Sequence, residues 1–85
     1  MVQKRCREEI ISQILEICCL GAHKTAIVYK ANLNFRVINP YIELLSRKGL
    51  IEVNQGPSKT ISYKTTSLGI DTLRNMRLIQ AGLNR

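Results

Sequence analysis

Tryptophan is absent from this chain of 85 residues, phenylalanine and histidine each occur once, and Asp71 is the only aspartate. Scarce aromatic rings leave little surface for stacking unpaired bases, which speaks against single-stranded RNA as a partner. Tyr29, Phe35, Tyr41 and Tyr63 are the whole aromatic set, and most are needed for a core. The lone imidazole, His23, has no second acid or base converging on it, so catalysis lacks its parts and no enzyme is expected. Cys6, Cys18 and Cys19 are odd in number and form no Cys-x-x-Cys pair. That pattern suits reduced thiols better than a zinc site or a disulfide framework. Glycine-rich phosphate loops and nucleophile motifs are missing, and no cofactor, metal or small-molecule substrate is implied. No apolar run approaches the roughly 20 residues needed to span a bilayer, and the charged stretch from Gln3 to Glu9 lacks a following signal-like segment. A cytoplasmic location is the expectation.

Negative charge is also scarce. Thirteen Lys and Arg face six Asp and Glu, for a net +7. Such a field on so small a surface favours a polyanion as partner. The length allows one domain over residues 1–85, and the 45% hydrophobic content is enough for a packed core.

Apolar residues at 6, 10, 14, 17 and 18, widened by 11 and 15, follow helical spacing and predict a helix from about Val2 to Leu20, stopped by Gly21. Glu8, Glu9 and Glu16 fall on its solvated side, and Cys18 joins the buried stripe as a small hydrophobe. A second helix is predicted over about Thr25–Ala31, with Thr25 as cap and with Ile27, Ala31 and then Leu33 facing the core. Asn34 caps a third helix running to about Lys48 and closed by Gly49, its stripe formed by Phe35, Ile38, Ile42 and Leu45 with Tyr41 on the flank. Pro40 leaves two possibilities open: a loosened or kinked helix from Phe35, or a separate turn over 35–38 followed by a helix that starts at Pro40. Leu50–Val53 and Thr60–Thr65 read as strands joined by the turn residues Gln55 to Lys59. Thr66 or Ser67 caps the last helix, 67–83, with Asp71 in its first turn. Leu73, Met76, Ile79 or Gln80, and Leu83 supply its apolar line. The class is mainly α with a β-hairpin wing (α+β), in the order helix, helix, helix, strand, strand, helix.

Two helices joined by a short turn and followed by a hairpin make a winged helix-turn-helix arrangement, in which the second helix of the pair enters the major groove and the hairpin tip reaches the backbone. The outward side of helix 35–48 carries Asn34, Arg36, Val37, Asn39, Pro40, Glu43 and Arg47. Arg36 suits a bidentate contact to guanine and Asn39 to adenine, while Asn34 also serves as cap. Lys24, Lys30, Lys48, Lys59 and Lys64 are phosphate candidates, Lys59 lying in the wing at 55–59.

The stretches Lys24-Thr-Ala-Ile-Val-Tyr-Lys-Ala-Asn-Leu-Asn-Phe35, Tyr41-Ile-Glu-Leu-Leu-Ser-Arg-Lys-Gly-Leu-Ile51 and Tyr63-Lys-Thr-Thr-Ser-Leu-Gly69 resemble a family of small archaeal winged-helix proteins, transcriptional regulators or chromatin-associated DNA binders. The likeness covers about Lys24 to Leu73. It implies duplex DNA binding without a cofactor, and a homodimer formed by the C-terminal helix. On this chain the seam would be Leu73, Met76, Gln80 and Leu83, residues that equally suit packing on the first helix. The function expected is therefore sequence-preferring binding of double-stranded DNA, in transcriptional regulation. The alternatives are a general architectural DNA binder and a winged helix that binds protein, for which the +7 charge would require an acidic partner.

Overall fold

A computed structural model describes residues 5–83. The elements are α1 (Arg7–Ile17), α2 (Lys24–Ala31), α3 (Phe35–Arg47), β1 (Ile51–Gln55), β2 (Ile61–Thr65) and α4 (Ser67–Leu83), with a 3-10 turn over Cys18–Leu20 between the first two. This is the helix, strand and connection order the periodicity predicts.

Helix α1 begins at Arg7 rather than near Val2, which lies outside the described residues. Cys6 is its cap, and its backbone N–H donates to Glu9 Oε1 at 2.9 Å. Cys6 is consequently exposed and does not join the stripe, whose buried members are Ile14, Leu15 and Cys18. Burial, and secondarily the neighbouring Cys19, pushes the Cys18 thiol up to about 11, so it stays protonated and packs as a hydrophobe. The regular helix stops at Ile17. The 3-10 turn carries the chain to Gly21, which adopts φ +92°.

Ala22 then pairs with Tyr63 through Ala22 N–H to Tyr63 O (2.9 Å) and Tyr63 N–H to Ala22 O (2.8 Å). That bridge adds a third short rung beside the hairpin, which single-residue pairing hides from periodicity. It also moves the start of α2. The cap is His23, not Thr25, because the helix starts as soon as the chain leaves the bridge.

Both ends of the helix-turn-helix are closed by the same device. After α2, Asn32 adopts φ +53°, with Asn32 N–H bonded to Tyr29 O and Leu33 N–H to Val28 O. After α3, Gly49 adopts φ +75°, with Gly49 N–H bonded to Ser46 O and Leu50 N–H to Leu45 O. Each is a left-handed residue flanked by a 6→1 and a 5→2 bond, the Schellman pattern that satisfies the last helix carbonyls. Because Leu50 is spent on that closure, β1 starts one residue later, at Ile51, and extends to Gln55.

The hairpin is antiparallel, with Ile51 opposite Thr65, Val53 opposite Tyr63 and Gln55 opposite Ile61. Thr60 leaves the strand and closes the loop by accepting Gly56 N–H at 2.7 Å. Helix α4 is capped by Thr66, whose Oγ1 accepts Gly69 N–H at 3.0 Å and donates to Gly49 O at 2.6 Å. Asp71 is the fifth residue of this helix and lies outside the first turn, so it does little for the dipole.

The core gathers Ile14, Leu15, Cys18, Ile27, Val28, Ile38, Ile42, Leu45, Ile51, Tyr63 and Leu73. On α3 the expected stripe member Phe35 stays out, at 55% exposure; it opens α3 a full turn ahead of Ile38, where the buried cluster on this helix begins. Buried Thr65 donates to Leu15 O at 2.6 Å, and no buried side-chain polar atom lacks a partner among the described residues.

Gly69 marks the tightest junction. A Cβ there would sit 2.1 Å from the carbonyl oxygen of Leu50 and 2.6 Å from Thr65 Cγ2. Since Leu50 O already accepts Thr66 N–H, neither backbone can yield. Gly69→Ala should cost about 3 kcal/mol, near the upper end for overpacking, read as a drop in the urea midpoint. A melt indistinguishable from the parent would mean that α4 and the β1 entrance are not in this contact.

Candidate nucleic-acid interface

Helix α3 divides its faces by the usual spacing. Ile38, Ile42 and Leu45 are buried, and Arg36, Pro40, Glu43 and Arg47 share the opposite, exposed side. Pro40 stands inside a helix that runs unbroken from Phe35, which settles the two possibilities in favour of one helix. Proline has no N–H to offer the carbonyl of Arg36. The loss falls on the solvent-facing side, where water can donate to that carbonyl in place of the missing N–H.

Asn34 Oδ1 accepts Arg36 N–H at 2.9 Å, so its side chain is a working N-cap. Arg36, Val37, Asn39 and Arg47 are exposed. Asn39 is not free, however: its Oδ1 accepts Lys24 Nζ at 2.6 Å. That contact ties the first residue of α2 to the second turn of α3. The preceding residue, His23, sits with Nδ1 2.9 Å from Ile61 O at the base of the wing. Two consecutive side chains thus link the hairpin, the start of α2 and the exposed side of α3.

The wing tip is a tight turn in which Lys59 N–H donates to Gly56 O at 3.1 Å, with Lys59 itself at φ +63°. A turn followed by a left-handed residue is the usual build of a three-residue hairpin loop, and glycine normally holds that left-handed place. Here a lysine does. Pro57, Ser58 and Lys59 are all exposed.

Other expected basic residues lie elsewhere. Lys30 is exposed in the last turn of α2 and Arg47 in the last turn of α3, where each complements the helix dipole. Lys30 is about 9 Å along α2 from Lys24, and Arg47 about 16 Å along α3 from Arg36, at 1.5 Å per residue. Lys48 and Lys64 are exposed on the C-cap of α3 and on β2.

Arg5 escaped the sequence reading. Its guanidinium donates to Gln13 Oε1 (2.6 Å), to Ala31 O and to Asn32 O (2.8 Å). A cation thereby covers the final carbonyls of α2 beside the left-handed Asn32, bracing the turn that aims α3. Contacts 26 and 27 residues apart leave no local signal.

The expected seam on α4 faces inward. Leu73 is 6% exposed in the chain's own core, Met76 packs on that core, and Gln80 is half-buried; α1 is the neighbour that α4 packs against. Leu83 ends α4, and its side chain lies outside the described residues. Helical spacing identifies an apolar face without saying whether the chain itself or a second copy covers it. Among the described side chains Leu68, Ile70, Leu78 and Ile79 are the exposed large apolar residues of this helix. Among the described residues no group of His, Cys, Asp or Glu is arranged to hold a metal.

A family model described as winged helix-turn-helix matches residues 4–83. The chain belongs to that family. Two solved structures share the winged helix-turn-helix fold with it at low identity. Sso10a-2, a DNA-binding protein from Sulfolobus solfataricus, aligns with TM-score 0.78 and 23% identity over 94% of this chain and 86% of that one. The PcaV transcriptional regulator from Streptomyces coelicolor, solved with its natural ligand, aligns with TM-score 0.79 and 17% identity over 99% of this chain and 62% of that one. Among curated proteins none matches the sequence.

The winged helix-turn-helix places a lysine where its wing needs a left-handed residue, and this makes a separable test. Lys59→Gly should raise stability by about 0.5–1 kcal/mol by removing the backbone strain, as measured by urea denaturation. A variant no more stable than the parent would show that the turn is not held in this conformation.

Proposed function

We propose that this winged helix-turn-helix domain binds double-stranded DNA, with α3 in the major groove and the wing at 55–59 against the backbone. The observation that carries the reading is the paired link from Ile61 through His23 and Lys24 to Asn39, which sets the lysine-tipped hairpin beside the exposed side of α3. The net charge of +7 supports a polyanion over a protein partner, and the printed description of Sso10a-2 as DNA-binding agrees with it. Binding, not catalysis, is the activity proposed. No helix among the described residues is long and apolar enough to cross a membrane, and a cytoplasmic, nucleoid-associated setting suits the reading.

In this mode Arg36 reads guanine and Val37 touches a thymine methyl group, while Glu43 accepts from a cytosine amino group. Lys24, Lys30, Arg47 and Lys59 meet phosphates. Sequence preference and a regulatory role rest on Arg36 above all. A second reading, general architectural binding, is favoured by one observation: Asn34 and Asn39 already spend their acceptors inside the domain, so neither offers a free bidentate edge to adenine. Selection from random duplexes separates the two, since a regulator enriches a guanine-containing site and an architectural binder enriches none. Association of two copies through α4 is part of the proposal, because paired half-sites strengthen binding. Its contact would be the exposed flank of α4 that carries Leu68 and Ile79.

Arg36→Glu should leave the thermal melt unchanged, since Arg36 is exposed, and weaken duplex binding at least tenfold in fluorescence anisotropy at about 0.1 M salt, through loss of one contact and gain of one repulsion. Undiminished affinity in a folded variant would remove α3 from the interface. For the parent domain, log K against log salt should fall with a slope of about −0.9 for each phosphate neutralised. A flat line would point to a protein partner instead.

A further inference from the structure

A groove of about 220 Å³ runs along the flank of α3, lined by Arg36, Val37, Pro40, Tyr41 and Leu44, and Arg7 of α1 closes its other side. Arg7 and Arg36 therefore border one channel although 29 positions separate them. Both are exposed, and neither has a carboxylate partner among the described residues, where Arg77 with Glu16 is the ion pair present. Arg7 is also poorly placed for its own helix. It opens α1, the end at which the dipole disfavours a cation, so local helix stability does not explain it.

A helix is about 10–12 Å across with its side chains, and the major groove is about 12 Å wide. A helix seated there has a phosphate strand along each flank. One flank of α3 holds Phe35 and Asn39, and Lys24 reaches it from α2. The other holds Val37 and Leu44, and the cation beside it is Arg7. The sequence reading names Lys24 among the phosphate candidates and does not name Arg7. We propose that the α1–α3 groove seats the second phosphate strand of the duplex, with Arg7 as its backbone contact. The inference rests on α3 occupying the major groove. It adds the N-terminus of α1 to the binding surface and makes the grip on α3 two-sided, with Lys24 and Arg7 as opposite jaws. The floor of Pro40, Tyr41 and Leu44 suits this role, since it holds no carboxylate to compete for either guanidinium and lets the sugar edge approach.

The test is a salt series of anisotropy titrations with one duplex oligonucleotide, on the parent and on Arg7→Ala, Arg7→Lys, Lys24→Ala and Arg74→Ala. Arg74 is an exposed arginine on α4 and serves as the control for net charge. Arg7→Ala should weaken binding roughly three- to tenfold near 0.1 M salt and reduce the magnitude of the slope by about 0.9, as one lost phosphate contact requires. Arg7→Lys should keep the slope, Lys24→Ala should lower it by a similar amount, and Arg74→Ala should leave it unchanged. A thermal melt of each variant separates lost contact from lost fold. Parental slope and affinity in Arg7→Ala overturn the groove assignment, as does an equal loss in Arg74→Ala, which would reduce the effect to overall charge. A parent domain that fails to bind duplex DNA overturns the major-groove reading itself, a result no Arg7 variant can imitate.

Discussion

His23 and Lys24 are consecutive residues, one held against Ile61 O in the hairpin and the other against Asn39 Oδ1 in α3. The mutual placement of the wing and the exposed side of α3 depends on this joint. It is itself fixed by the Ala22–Tyr63 bridge one residue earlier, which anchors the backbone to β2 before α2 begins. Each bond is modest alone, about 1 kcal/mol net for an ordinary hydrogen bond. Their effect is geometric, because they act on adjacent residues at the start of a helix whose far end is braced by Arg5.

The turns of the helix-turn-helix are equally determined. Asn32 and Gly49 close α2 and α3 with the same pair of bonds, so α3 enters and leaves its position through rigid, satisfied backbone. Beyond it, Thr66 bonds Gly49 O while capping α4, and Gly69 lets that helix pass against Leu50 O. The last helix is thus locked to the end of α3 by backbone contacts, not by apolar packing alone. In the proposed binding mode this rigidity matters, since a helix reading a groove must keep its orientation when one side is loaded with charge.

Polar side chains on the candidate surface divide between building it and remaining free. Asn34 and Asn39 are consumed by a cap and by Lys24, whereas Arg36, Arg47 and Lys59 stay exposed. Lysine in the left-handed place at the wing tip and proline in the exposed turn of α3 are both unfavourable for the local backbone. In the proposed binding mode such residues at a surface would serve the contact with DNA and not the fold.

The sequence by itself determined the element order, the buried faces of α1, α2 and α3, the Asn34 cap and the excess of positive charge, because each follows from local spacing, local turn chemistry or simple counting. Pro40 could not be resolved that way, since its cost depends on whether water or protein faces the carbonyl it abandons. Only the tertiary structure decided that Phe35 stays outside the core, that Thr25 yields its capping place to His23, and that Leu73 and Met76 turn inward toward α1. The Arg5 brace, the Lys24–Asn39 link and the shared groove of Arg7 and Arg36 belong to the same class. All are contacts between residues distant in the chain, created when the helices pack, and no periodicity along one segment encodes which other segment will cover it.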